Sequence, residues 1–311
     1  MAATVNKTPV EPEVDLPQLQ RSLRQPRLLF SYFMSLMTGT ATVVAMFPLF
    51  SVLYLLIKRG GASLSAAALT ELPPAAMMTG GGFGNAIVGT IIIVLLATLI
   101  AVPIGILAAI YTAEFGPETE FTRWVQFSAK ILTGLPSILA GVFAFATVVL
   151  VTGGFSAPAG AVALALLMLP TVLLTAEDAI KRVPTRMREA AIGMGATPTQ
   201  VVTKVVLPTA VPGILTGVML AIARAAGETA PLLFTSLFSD FWIGRTNPVV
   251  LPKGVGDLMK PTASLAVLIY NFSSSPFDNQ IALAWSAALV LVLMVLLVNL
   301  AGQRLAKRYS R

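Results

Sequence analysis

The sequence predicts an all-α polytopic membrane protein with six transmembrane helices. Of its 311 residues, 56% are hydrophobic and 11% are charged, and the mean hydropathy is +0.84. A soluble domain carries about 25% charged residues, so this composition is typical of an integral membrane protein. Six stretches reach the length of about 20 apolar residues that a bilayer-spanning helix needs. They are residues 30–57, 86–111, 131–151, 157–176, 210–235 and 281–302.

The ends of these stretches are marked by charges. Lys58 and Arg59 follow the first span, and the fourth span stops at Glu177 and Asp178. A further apolar stretch, 262–272, is too short to cross a bilayer. It predicts an interfacial or loop helix.

The distribution of basic residues predicts the orientation. Six spans place both termini on one side, and with that side in the cytoplasm 15 of the 21 basic residues fall on cytoplasmic segments and five outside. The positive-inside rule favours this arrangement. We therefore expect a multi-pass protein of the cell (inner) plasma membrane with a cytoplasmic arm (1–29), a permease domain (30–302) with the long cytoplasmic loop 177–209, and a basic tail (303–311).

Composition also excludes several kinds of site. The chain has no cysteine and no histidine, which removes thiolate and imidazole metal ligands and the usual nucleophile–base pairs. It contains no G-x-x-x-x-G-K-[ST] phosphate loop. We expect no catalytic residue, no metal site and no cofactor bound by this chain. The net charge of +7 is spread over separate segments without interleaved aromatic residues, so no nucleic-acid partner is expected.

The loop 177–209 carries the longest motif, EAAIGMGATPTQVVTKVVLP. Its pattern predicts two short helices joined by a glycine elbow on the inner membrane face. Thr197 is a predicted N-cap, Gln200 would complete a capping box, and Pro208 would end the second helix. The motif positions that we single out are Glu189, Ala190, Ala191, Gly195, Val205, Leu207 and Pro208.

This motif resembles the signature of permease subunits of ABC importers: Glu-Ala-Ala, three residues, Gly, nine residues, then Ile-x-Leu-Pro, here with Val205 in place of Ile. The resemblance implies the type I permease fold and a coupling helix that docks in a groove of a cytoplasmic ATPase, which would hold ATP and Mg. The alternative is an amphipathic helix that only packs on the bilayer.

Two charges lie inside the fifth predicted span. Arg224 and Glu228 are four residues apart, which would place them on one helix face near the middle of the bilayer. An arginine fork suits a tetrahedral oxyanion because it offers two parallel charge-assisted hydrogen bonds. The pair is therefore a candidate anion site on a translocation path, and the alternative is an ion pair that only locks the bundle.

Three stretches extend the resemblance to most of the chain: GGFGNAIVGT (81–90), GLPSILAGVF (134–143) and ARAAGETAPLLF (223–234). They resemble A-type permease subunits of the phosphate-specific ABC importer. The most substrate-specific string, R-x-x-G-E-T, falls on Arg224, Gly227, Glu228 and Thr229. The resemblance implies ATP-driven import of inorganic phosphate, and as partners a C-type permease in a heterodimer, two ATPase subunits and an extracytoplasmic phosphate-binding protein.

Other functions remain open at this point. The cargo could be another oxyanion, such as sulfate or phosphonate. A self-sufficient secondary transporter or channel would more often show inverted repeats, a discontinuous helix or several buried charges. An intramembrane enzyme would need clustered acids in the spans, which the sequence lacks. We expect a transport subunit and no enzyme.

Overall fold

The computed structural model of the chain describes residues 26–243 and 255–309. They belong to two compact units, the first ending at Leu53 and the second beginning at Tyr54. The described part of the first unit is residues 26–53, which belong to helix α1, Pro26–Leu55; that helix continues as a π-helical turn, Leu56–Gly60. The first predicted span is confirmed, but it starts inside the predicted arm. Residues 1–25 of that arm lie outside the described residues.

The second unit contains no β-strand among residues 54–243 and 255–309. π-helical turns extend or join several of its helices: Tyr111–Phe115 continues α3, Phe145–Val149 joins α5 to α6, and Val202–Val206 joins α9 to α10. In chain order its helices are α2 (Ala66–Thr70), α3 (Gly84–Ile110), α4 (Glu120–Thr133), α5 (Ser137–Ala144), α6 (Leu150–Thr152), α7 (Ala157–Lys181), α8 (Thr185–Gly193), α9 (Pro198–Val201), α10 (Leu207–Ala226), α11 (Ala230–Leu233), α12 (Val255–Leu258), α13 (Leu265–Ser273) and α14 (Asp278–Tyr309).

The described residues include five helices that are long and apolar enough to cross a membrane, or six if one bent pair of helices counts as a span. This confirms the predicted all-α membrane fold. Large apolar side chains along α1 and α3 are exposed, among them Phe47 and Leu107. Such surfaces are stable only where lipid or another apolar helix covers them.

Helix α7 lies at the centre of the second unit, packed against α3, α4, α5 and α10. Glycines allow two of these helices to approach it closely. A Cβ on Gly105 of α3 would lie 2.8 Å from Cγ1 of Val172, and a Cβ on Gly217 of α10 would overlap the Thr175 side chain. Small residues at helix contacts are the usual means of close packing in membranes, where apolar burial alone gives little preference.

Helices α13 and α14 form a second cluster with the start of α3. The backbone N–H of Leu265 donates to Oγ1 of Thr90 at 2.8 Å, which fixes the start of α13 on α3. Leu268 and Phe272 of α13 are buried within this cluster. Most of the stretch 262–272 is therefore a short helix, Leu265–Ser273, whose buried side packs against α3 and α14.

The third predicted span, 131–151, is wrong as a single straight helix. The axes of Glu120–Thr133 and Ser137–Thr152 differ by 107°. Pro136 separates them, because proline has no backbone N–H to donate and disfavours helical geometry at the preceding residue.

The fifth predicted span, 210–235, is wrong at both ends. Pro198–Ala226 is one uninterrupted helix, made of α9, a π-helical turn at Val202–Val206 and α10. Pro208 does not end it. The Leu207 N–H donates to the Val202 carbonyl, and this wider turn accommodates the proline that follows.

The sixth predicted span, 281–302, is confirmed but is shorter than α14. Helix α14 continues through most of the predicted basic tail, where Arg304, Lys307 and Arg308 are exposed on its last turns. Residues 310–311 of that tail lie outside the described residues.

Candidate coupling loop and translocation site

The Glu-Ala-Ala motif lies in the second half of α8. Glu189 and Ala190 are exposed, whereas Ala191 is buried against the main core. The two alanines also close the helix: the Ala190 carbonyl accepts from the Met194 N–H, and the Ala191 carbonyl accepts from the Ala196 N–H, both at 3.1 Å. Ala191 must therefore be small, while Glu189 is free to meet a partner.

Gly195 forms the predicted elbow. Its φ of +85° lies in the left-handed region, which costs an L-residue with a side chain about 1–2 kcal/mol. Gly193, two residues earlier, ends α8 without a positive φ, and a Cβ there would meet open space. The conformational requirement is therefore specific to Gly195.

The predicted capping box is confirmed. Oγ1 of Thr197 accepts from the Gln200 N–H at 3.4 Å, and Oε1 of Gln200 accepts from the Thr197 N–H at 3.0 Å. These bonds define the start of α9. The prediction of a separate second helix is wrong, since α9 is the first turn of the long helix Pro198–Ala226.

The remaining motif residues anchor the loop. Val205 and Leu207 are partly buried and pack against the main core, and Pro208 is exposed at the start of α10. The structure thus separates the motif into residues that face outward (Glu189, Ala190, Gly195 and Pro208) and residues that hold the loop on the bundle (Ala191, Val205 and Leu207).

The sequence interpretation missed the apolar residues at the tip of the loop. Met187, Ile192 and Met194 are exposed, and the Met194 side chain is 83% exposed. Together with Glu189 they form an outward surface that we call the loop tip. Methionine adapts to irregular partners, and an exposed apolar surface of this kind is typical of a protein interface. Two methionines within eight residues of a polar loop were the available signal.

The predicted pair of Arg224 and Glu228 is present, but its geometry differs from the prediction. Arg224 lies in the last turn of α10, and Glu228 lies beyond the helix end, with its N–H donating to the Ala225 carbonyl. The prediction of a shared helix face near the middle of the fifth span is therefore wrong. Nε of Arg224 still approaches Oε1 of Glu228 at 3.4 Å.

The two side chains differ in access. The Arg224 side chain is 45% exposed and that of Glu228 is 17% exposed. Among residues 26–243 and 255–309, the Arg224 guanidinium makes one weak hydrogen bond, at 3.4 Å, so its other donors are open to a solute with respect to this part of the chain. The negative end of the α10 dipole lies next to this cation, which favours the charge without consuming its donors.

Gly227 and Thr229 build the connection between α10 and α11. The Gly227 N–H donates to the Arg224 carbonyl at 3.1 Å, and the carbonyl of Thr229, which precedes α11, accepts from the N–H groups of Leu232 and Leu233 in that helix. Helix α11 packs tightly on α5, where a Cβ on Gly141 would lie 2.6 Å from Cα of Pro231. Arg224 and Glu228 therefore lie on either side of the end of α10, and the helix that follows them, α11, is held in place by its packing on α5.

No group of three or more acidic side chains that could hold a metal ion occurs within residues 26–243 and 255–309. The two candidate sites lie at opposite ends of one helix, Pro198–Ala226: the loop with the Glu-Ala-Ala motif precedes its start, and Arg224 lies in its last turn. That helix has 29 residues and spans about 43 Å at about 1.5 Å per residue.

Comparison with known proteins agrees with this architecture. Residues 101–311 match the family model described as "Binding-protein-dependent transport system inner membrane component". A chain of a bacterial alginate ABC transporter has the same fold, with a TM-score of 0.60 at 14% identity over 93% of this chain and 99% of that chain. A chain of the methionine transporter MetNI has a TM-score of 0.54 at 21% identity over 74% of this chain and 95% of that chain. Fold and loop thus define an inner-membrane permease component of the ABC-importer class.

Closer relatives give the family. The phosphate transport system permease protein PstA of Yersinia pestis is 41% identical over 86% of each chain. The probable PstA of Methanocaldococcus jannaschii is 36% identical over 84% of this chain and 88% of its own length, and PstA 1 of Mycobacterium tuberculosis strain H37Rv is 34% identical over 94% of this chain and 91% of its own. The chain belongs to the PstA family. It is a multi-pass membrane protein and a transport component.

Proposed function

We propose that the chain is the permease subunit through which an ATP-driven importer moves inorganic phosphate into the cytoplasm. The observation that carries the cargo assignment is its 41% identity, over 86% of both chains, to a protein named as a phosphate transport permease. The half-open guanidinium of Arg224 at the break after α10 supports this cargo, since arginine binds tetrahedral oxyanions through paired hydrogen bonds.

In this proposal Arg224, Gly227, Glu228 and Thr229 line the path. Arg224 attracts the anion, and Glu228 holds the guanidinium when the path is empty and limits the affinity, so that phosphate is released. The glycine and threonine shape the backbone at the break. An arginine whose only acid partner within the described ranges binds it at 3.4 Å is suited to exchange that partner for a passing anion.

The loop tip couples the path to ATP hydrolysis. Glu189 and its apolar neighbours would dock in a groove of an ATPase subunit that holds ATP and Mg; this chain itself would hold no cofactor. The exposed apolar tip and the uninterrupted helix from loop to Arg224 support this role, because a stiff helix rooted in the membrane transmits a push at the loop.

The proposed assembly has a C-type phosphate permease as heterodimer partner, two ATPase subunits and an extracytoplasmic phosphate-binding protein. In this proposal both termini lie in the cytoplasm; the basic residues at the end of α14 and the loop that would meet the ATPase support that orientation. Two structural neighbours are chains of ABC transporters, one of them in complex with a periplasmic protein, which supports an assembly of this type.

Uptake into right-side-out vesicles, whose lumen corresponds to the cytoplasm, tests the proposal. Vesicles with the intact transporter are expected to take up labelled phosphate only with ATP on the cytoplasmic face and the binding protein on the other. Competition by excess sulfate or phosphonate would instead assign another oxyanion. Phosphate movement by this chain alone, driven by an ion gradient, would overturn the ATP-driven reading.

A further inference from the structure

The guanidinium of Arg188 joins three elements at the base of α8. Its NH2 nitrogen donates to Oε1 of Glu114 at 2.7 Å and to the Ile180 carbonyl at 2.9 Å, and its NH1 nitrogen donates to the Val183 carbonyl at 2.8 Å. Glu114 lies in the π-helical turn that ends the long helix from Gly84, and Ile180 lies in the last turn of α7. One side chain thus connects the loop helix to the ends of two membrane helices.

The pair is shielded from water. The Arg188 side chain is 20% exposed and that of Glu114 is 12% exposed. The other cross-linked acid at this end of the bundle, Glu177, is bonded by Lys181 within α7 and by Gln126 of α4, and so does not reach α8. Within the described residues, the Arg188–Glu114 pair is therefore the ion pair that fastens α8 to another helix.

We propose that Arg188 and Glu114 are positioning residues that make the ATPase-driven movement of the coupling loop move α3 and α7 together with α8. This inference rests on the proposed function. The loop has two roots. One is the helix Pro198–Ala226, which is covalently continuous with Arg224, and the other is α8, which the chain joins to α7 through 182–184.

Without the Arg188 contacts, α8 could tilt on that short linker while α3 and α7 stayed in place. With them, a push on the loop tip displaces the packed pair of α3 and α7, whose close contact at Gly105 and Val172 lets them move as one body. Movement of the loop would then displace both the helix that carries Arg224 and the packed pair of α3 and α7.

Arg188→Ala and Glu114→Gln in the assembled, membrane-embedded transporter test this role. Both variants are expected to retain ATP hydrolysis while phosphate taken up per ATP falls by about fivefold or more, within the range typical of coupling between sites. Arg188→Lys keeps the charge but cannot make all three hydrogen bonds of the guanidinium, so it should restore part of the phosphate taken up per ATP.

The control is Arg123→Ala. Arg123 forms an ion pair with Glu120 at 2.7 Å, but both side chains are exposed and lie on the same helix, α4, so no two elements are joined. This variant should transport like the wild type. The positioning role would be overturned if uptake and ATP hydrolysis fell by the same factor in the Arg188 and Glu114 variants and the amount of assembled complex fell with them.

A second measurement does not depend on the cargo. Hydrogen exchange of the amides of residues 185–193 should quicken in Glu114→Gln and stay unchanged in Arg123→Ala. Unchanged exchange in Glu114→Gln would show that the pair does not hold α8, whatever the transporter carries. A wild-type complex that moves no phosphate would instead contradict the proposed function and leave the exchange result valid.

Discussion

The guanidinium of Arg224 lies 3.4 Å from the carboxylate of Glu228, although the helix that carries Arg224 ends between the two residues. The pairing is therefore made across a break and does not depend on a common helix face. A pair at a helix end can separate when the connecting residues shift, whereas a pair on one helix face is held by the helix itself. This geometry favours an ion pair that can separate to admit an anion, rather than an ion pair that only stabilises the helix bundle.

Replacement of Arg224 should strongly reduce transport without preventing insertion. We expect Arg224→Ala to reduce phosphate uptake about 10-fold or more, since a hydrogen bond to a charged group contributes about 1.5–3 kcal/mol and about 1.4 kcal/mol corresponds to tenfold. Labelled phosphate uptake in vesicles measures this, and immunoblotting of the membrane fraction checks insertion. Arg304→Ala, at an exposed position of α14, is the matched control. Normal uptake by inserted Arg224→Ala would leave the pair a purely structural role.

Replacement of Glu228 should have a different signature. In Glu228→Gln the carboxylate no longer competes with the cargo for Arg224, so the anion should bind more tightly and leave more slowly. We expect a lower KM for phosphate together with a lower maximal rate. Uptake measured over a range of phosphate concentrations separates the two parameters. A raised KM would mean that Glu228 supports binding and would contradict its assigned role as a competitor.

The sequence predicted the positions of the spans better than their continuity. The length of the apolar stretches identifies the spans predicted at 30–57 and 281–302, because a helix that crosses a bilayer needs about 20 apolar residues in sequence. Continuity depends on tertiary contacts. Pro136 bends the chain by 107°, while Pro208 lies inside an uninterrupted helix because a π-helical turn precedes it. The same residue type gives opposite results, and only the surrounding backbone decides between them.

In the candidate sites, too, the features that depend on local sequence were predictable and those that depend on distant contacts were not. The capping box of Thr197 and Gln200 was predictable, since it depends on local chain geometry alone. The fastening of α8 by Arg188 was not, because its acid partner lies 74 positions away in the sequence and no short-range pattern links them. The pairing of Arg224 with Glu228 was predicted, whereas the helix end between them was not.

The elbow of the coupling loop offers a test in which two neighbouring glycines are compared. Gly195 has a φ of +85° and Gly193 does not, yet a Cβ on either would meet open space. Gly195→Ala should therefore strain the elbow by about 1–2 kcal/mol and lower ATP-coupled uptake. Gly193→Ala should leave uptake unchanged. Equal uptake by both variants would show that the left-handed turn is not needed for coupling, and a loss in Gly193→Ala alone would indicate a partner contact at that position.

The contact between α7 and α10 should be equally sensitive to one methyl group. A Cβ on Gly217 would overlap the Thr175 side chain, and a Cβ on Gly213 would lie 2.7 Å from Cβ of Ala179, so α10 has no space to accept either without moving. Overpacking of this kind costs about 1–3 kcal/mol. Gly217→Ala should lower the melting temperature of the purified protein in detergent, and Gly154→Ala, where a Cβ meets open space, should not. Because α10 connects the loop to Arg224, displacement of this helix in the Gly217 variant should also lower phosphate uptake. If Thr175→Ala restores both stability and uptake in the double variant, the close approach of the two helices is what the glycine provides.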